Sequence, residues 1–243
     1  MLVDLIPVLL ALALTTFFYT MAGFAGGSLF TALMLLTGLG AGQAATAGLI
    51  FNAFSATSSL TRWKIHFEWE FVWFIIGSAP GAFVGGLIIL PDVLLRIIMG
   101  VMIAIGGVLV MLATFPFRVV KVNPPLRIVV GAIIGIVAGL TGIGGGVYLA
   151  PVLILAGMAK PKTTAATTTV FILLNSVSGL VARTPRIGDL VTNPLLIMAI
   201  PIVLVTAQLG SHIGSHRLTQ TNVRRVISAV LVSVGLYITV TSL

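Results

Sequence analysis

The chain has 243 residues, 58% of them hydrophobic and 7% charged, with a mean hydropathy of +1.21. A soluble domain carries about 25% charged residues, so a water-soluble enzyme or nucleic-acid-binding domain is excluded and an all-α polytopic membrane protein is expected. The net charge of +8 is scattered among short junctions as a topology signal, and the absence of cysteine removes disulfides and thiolate chemistry.

Residues 5–61 contain no charged residue or histidine. Glycine-rich stretches at 23–27 and 38–42 divide them into expected helical segments near 5–22, 27–39 and 43–61. Residues 1–4 lack Lys and Arg, and the apolar sequence outruns a signal peptide, which argues against a cleavable leader. The junction Arg62–Glu70 follows, with Trp63, Trp69 and Trp73 suited to an interfacial belt. Further spans are expected near 71–90, interrupted at Pro80-Gly81, and near 93–115. A connector at 116–126 carries Arg118, Lys121 and Asn123-Pro124-Pro125, whose prolines stop a helix. It separates a first repeat, 1–115, from a second, 127–243, with segments near 127–141, 147–158, 163–183, 190–213 and 222–242.

The stretch Thr141–Pro151, TGIGGGVYLAP, lies in a run without charge from Ile128 to Met158. As one straight helix that run would span roughly 46 Å against a ~30 Å hydrocarbon core, so a break at the glycines is expected. Broken backbone at membrane depth survives only where it is packed in protein or lines a polar cavity. Close glycine packing between helices is the alternative reading of the same residues.

The halves resemble each other. Gly23-Phe24-Ala25-Gly26-Gly27 aligns with Gly142-Ile143-Gly144-Gly145-Gly146, and Gly38 with Gly157. Thr46, Ser55 and Arg62 align with Thr167, Ser176 and Arg183, and Gly81 and Gly85 with Gly210 and Gly214. Later in the chain, Arg96 and Gly106 align with Arg225 and Gly235. Five segments per half would make two inverted repeats with Gly-broken helices, a transporter plan that places substrate near the midplane. With ten segments, the odd junctions collect Arg62, Lys64, Arg118, Lys121, Arg127, Lys160, Lys162, Arg217, Arg224 and Arg225. The even ones hold Arg96, Arg183 and Arg186. The positive-inside rule then sets the odd junctions in the cytoplasm and both termini outside.

The motif Gly142-x-Gly144-Gly145-Gly146 with Pro151, followed by Ala165-Ala166-Thr167-Thr168-Thr169 and Asn175-Ser176, resembles the sulfite exporter TauE/SafE family. The paired Gly-rich motif and the Ala-Thr helix ending in Arg62 extend the resemblance over nearly the whole chain. It implies a multi-pass bacterial inner-membrane protein exporting sulfite, sulfoacetate or related organosulfur anions. The first copy departs from the pattern: Ala25 replaces a motif glycine, and Ala32 stands where Pro151 stands.

A half-helix N-terminus carries roughly +0.5 charge and binds anions through backbone N–H groups. Gly26, Gly27, Gly144, Gly145 and Gly146 are therefore the candidate anion cradle. Gly48, Asn52, Ser55 and Ser59 fall on one helical face, as do Thr168, Asn175 and Ser178 or Gly179. Asn52, Ser55, Thr168, Asn175 and Ser176 are the candidate substrate ligands, with interhelical hydrogen bonding as the alternative role. Arg62 and Arg183 end equivalent helices, as cations at the pathway mouths or as snorkelling side chains.

His212 and His216 are four apart, without a third ligand nearby in sequence, so no metal is assigned, and no cofactor. The five acidic residues Asp4, Glu68, Glu70, Asp92 and Asp189 all fall at termini or junctions. No carboxylate is then available as a midplane proton relay. Export of an anion needs none, since a negative-inside potential favours exit by ~2.3 kcal/mol per charge per 100 mV. The implied partners are a small anionic substrate and the lipid bilayer. The oligomeric state is left open, with a homodimer one option. An exporter or channel for another small oxyanion or carboxylate is the alternative function.

Overall fold

The computed structural model describes residues 2–113, 122–216 and 220–243. Among them run ten long helices: α1 (Leu2–Met21), α2 (Gly27–Leu36), α3 (Ala41–Trp63), α4 (Val72–Leu87), α5 (Asp92–Leu112), α6 (Pro124–Thr141), α7 (Gly146–Leu155), α8 (Pro161–Ala182), α9 (Pro194–His216) and α10 (Gln220–Ser242). The all-α polytopic class stands. Six of these helices, or stretches including them, are long and apolar enough to cross a bilayer. Arg118 and Lys121 of the connector, and Arg217, lie outside the described residues.

Local chemistry sets the helix ends. Asn123 caps α6 by accepting from the Leu126 N–H at 3.2 Å, and Pro124 and Pro125 occupy the first turn, where the missing N–H costs nothing. Pro161 opens α8 in the same way. Gly142 ends α6 with φ +76°, a left-handed conformation that suits glycine.

Three expectations are corrected. α4 runs unbroken through Pro80, held against α6 on both sides of the proline. The ninth segment starts at Pro194, because a separate short helix, Gly188–Val191, and the residues before the proline precede it. Trp63 is not in an interfacial belt: it is fully buried and its indole donates to the Thr20 carbonyl at 3.3 Å. Trp69 and Trp73 remain exposed.

Glycines bring helix backbones together. A Cβ on Gly77, Gly81 or Gly85 of α4 would overlap α6 backbone, and one on Gly131, Gly135 or Gly139 of α6 would overlap α4. Gly210 and Gly214 of α9 meet Phe17 and Met21 of α1 likewise. Small residues permit such approach where no side-chain burial from water drives association. The main pairings, α4 with α6 and α9 with α1, α4 with α8 and α9 with α3, α2 with α3 and α7 with α8, exchange into one another when the halves are swapped.

Contacts at the helix ends fix direction. The Thr163 hydroxyl at the start of α8 donates to Glu68, just beyond α3, at 2.8 Å. Arg127 near the start of α6 donates to the Glu70 carbonyl at 2.7 Å and stacks over Phe71. On the opposite side, Asp92 accepts from the Ala41 N–H and pairs with Arg96 at 2.6 Å, while Arg96 reaches the Leu39 carbonyl at 3.0 Å. Arg183, at the end of α8, reaches Gly42 at the start of α3. Thus α3 and α8 run antiparallel, and residues 64–71, Arg127 and Lys160–Thr163 share one face while 39–42, Asp92 and Arg183 share the other.

Candidate functional site

The two chain breaks converge between the middles of α3 and α8. Asn52, halfway along α3, is about 16 Å from either helix end at ~1.5 Å per residue. Its amide nitrogen would stand 2.8 Å from a Cβ built on Gly27 and 3.0 Å from one on Gly144. The starts of α2 and α7 are therefore brought to one asparagine side chain, and only glycine leaves it room. Ala25 from the first break, Ala56 of α3 and Ile172 of α8 close the same region in one apolar cluster.

Each break is bonded by the opposite half, and the second also by its own. Asn52 Nδ2 donates to the Gly142 carbonyl at 3.2 Å, and the Thr31 hydroxyl donates to the same oxygen at 3.2 Å. The Thr168 hydroxyl donates to the Gly23 carbonyl at 2.8 Å, and Asn175 Nδ2 to the Gly144 carbonyl at 3.4 Å. These bonds serve carbonyls that the broken helices leave without intrahelical donors. The breaks differ in conformation. Gly142, Gly144 and Gly145 all have positive φ, whereas in the first copy only Gly23 and Gly26 do, and Ala25 replaces the middle glycine.

Neither Gly26, before α2, nor Gly145, before α7, is accompanied by a side-chain cap. Their leading N–H groups and the partial positive charge face the region around Asn52. Asn52, Ser55, Thr168, Asn175 and Ser176 have zero solvent exposure, so this conformation is closed. Several of their polar atoms are nonetheless unsatisfied: Asn52 Oδ1, Ser55 Oγ, Asn175 Oδ1 and Ser176 Oγ lack hydrogen-bond partners. A buried orphan costs ~1–3 kcal/mol, so this group of atoms is not accounted for by packing energy alone.

Of the anticipated residues, Gly27, Gly144, Asn52 and Asn175 are brought together directly, with Ser55 and Ser176 adjoining on α3 and α8. Gly146 packs on Ile172. Thr168 is committed to carbonyls, and Ser59 and Ser178 bond to Ala56 and Ala79. Arg183 is buried, not at an open mouth. Its guanidinium donates to the Leu140 carbonyl at 2.8 Å and the Gly139 carbonyl at 3.0 Å, closing the end of α6. Trp63 serves Thr20, the residue that aligns with Gly139, so an indole does in the first half what a guanidinium does in the second. Arg62 stays half-buried, its Nε without a partner.

Two residues escaped sequence reasoning. Thr31 shares a helical face with Gly27 four residues earlier, a signal that was available. Thr167, whose buried hydroxyl also lacks a partner, is hidden in a run of threonines that look alike in sequence. His212 is exposed, and among the described residues no three His, Cys, Asp or Glu side chains gather as a metal site would require.

The model of the family described as Sulfite exporter TauE/SafE matches residues 8–238. The chain belongs to that family. A curated relative, the "Probable membrane transporter protein y4hK" of Sinorhizobium fredii (strain NBRC 101917 / NGR234), is 30% identical over 230 residues, covering 90% of this chain and 91% of the relative. No solved structure matches. As a TauE/SafE member with several membrane-spanning helices, the chain is a multi-pass membrane transporter.

Proposed function

We propose that this transporter exports a small organosulfur anion (sulfite, sulfoacetate or a related sulfonate) across the bacterial inner membrane, driven by the membrane potential. The carrying observation is the Asn52 amide set between Gly27 and Gly144, where the uncapped starts of α2 and α7 converge at mid-depth. Two helix N-termini supply the positive potential an anion needs without a buried cation. The repeats, 1–115 and 127–243 joined by 116–126, are inverted in this reading. The antiparallel run of α3 and α8 and the exchange symmetry of the pairings support it. Lys64, Arg127, Lys160 and Lys162 gather on one face, which is then cytoplasmic. The complete burial of the site favours a carrier with alternating access over an open channel.

The test is flux in proteoliposomes loaded with sulfite or a sulfonate under a potassium-diffusion potential. A uniported monovalent anion should redistribute ~50-fold at 100 mV. Flux that ignores the clamped potential but follows an imposed pH gradient refutes the driving force. Absence of any anion flux refutes the substrate class.

A further inference from the structure

The orphan atoms at the site are not all of one kind. Ser55 and Ser176 hydroxyls donate or accept, but an amide oxygen only accepts. Both asparagines spend their nitrogens on the second break: Asn52 on the Gly142 carbonyl at 3.2 Å, Asn175 on the Gly144 carbonyl at 3.4 Å. Turning either amide over would set oxygen against carbonyl oxygen. Asn52 Oδ1 and Asn175 Oδ1 are thereby fixed as buried acceptors without donors. Both amides border Gly144, so they bear on the place where the starts of α2 and α7 meet.

A fully deprotonated oxyanion would satisfy the N–H groups but be repelled by the two amide oxygens. A bare cation would satisfy the oxygens but be opposed by two positive helix ends. We propose that the occupant carries a hydrogen-bond donor beside its anionic group: a singly protonated oxyanion such as hydrogensulfite, or a hydroxyl-bearing sulfonate. This rests on the anion-transport reading and narrows its substrate class. The anionic oxygens take the helix-start N–H groups and the serine hydroxyls, and the ligand O–H is given to an asparagine oxygen. A site built to bond a hydroxyl rejects the analogue lacking it, because its own buried groups are then left unpaired.

The experiment compares 2-hydroxyethanesulfonate with ethanesulfonate, which match in charge and nearly in size, by calorimetric titration of the purified full chain in a choline buffer. Hydrogensulfite is titrated across pH alongside. The hydroxylated sulfonate is expected to bind at least about tenfold tighter, and sulfite binding to follow the singly protonated species. Asn175→Leu should shrink the ratio between the two sulfonates. Equal affinities, or sulfite binding that follows the dianion, overturn the proposal and leave the anion reading in place. Stabilisation by sodium alone, with no anion effect, assigns the oxygens to a cation and also overturns it. If neither sulfonate nor sulfite binds at any pH, the anion reading itself fails.

Discussion

Arg183→Met tests whether this arginine closes a helix or attracts substrate. The side chain is 1% exposed, and its two shortest hydrogen bonds, 2.8 and 3.0 Å, end on the Leu140 and Gly139 carbonyls in the last turn of α6. No later helical N–H can serve these oxygens, since α6 stops at Thr141. Methionine keeps the length and apolar bulk but orphans both, at ~1–3 kcal/mol each. Removing a buried guanidinium returns part of this as relieved desolvation, so the net loss should be about 2–4 kcal/mol. At ~2–4 °C per kcal/mol for a chain of this size, the thermal midpoint in detergent should fall by about 5–15 °C. Arg62→Met is the control. Arg62 is half-buried with no partner at Nε, and its loss should move the midpoint by less than about 2 °C. The reasoning is refuted if Arg183→Met melts with the parent while transport disappears, since that pattern belongs to a cation at a mouth.

Gly27→Ala drives a methyl into the Ile143 carbonyl and against Asn52, and should cut flux at least tenfold while costing about 1–3 kcal/mol in unfolding measurements; unchanged flux would separate the α2 start from the pathway. Trp63→Phe keeps the buried ring but removes the bond to Thr20, and should cost about 1 kcal/mol by the same melts, with Trp63→Tyr no better because its hydroxyl is differently placed. His66, outside the spans, has its pKa held below the usual 6.5 by partial burial and then by the nearby Lys162 charge. Its folded-state pKa lies below the unfolded value, so its contribution to stability is present above pH 6.5 and is lost as pH falls toward the lowered value. Lys162→Gln should raise the His66 midpoint in an NMR titration.

Much of the architecture could be read from punctuation. Charged junctions, Asn-Pro-Pro and the glycine clusters located the ten helices within a few residues, because a membrane span must begin and end where polar or helix-breaking residues allow. Asn52, Ser55 and Asn175 stand out in the sequence because small polar residues recur on one helical face, and Ser176 because it aligns with Ser55. The surroundings of Arg183 are not legible in the sequence, because they are made by the end of α6 and the start of α3, 43 and 141 positions away. Trp63 was misjudged for the same reason: position at a helix end suggests an interface, but Thr20 turns it inward. Pro80 suggested an interruption that its neighbours override, as Gly77, Gly81 and Gly85 lock the helix to α6 on either side.

The glycine contact between α1 and α9 has a consequence for biogenesis. Phe17 and Met21 rest on Gly210 and Gly214, which are synthesised roughly 190 residues later. At ~5–20 residues per second, α1 waits about 10–40 s for its partner. During that interval the face of α1 that carries the Phe17 and Met21 carbonyls, which later meets the α9 glycines, faces lipid or the insertion machinery. Assembly of this pair therefore waits for the second half, and a nascent chain stalled before α9 leaves α1 an orphan on which membrane quality control can act.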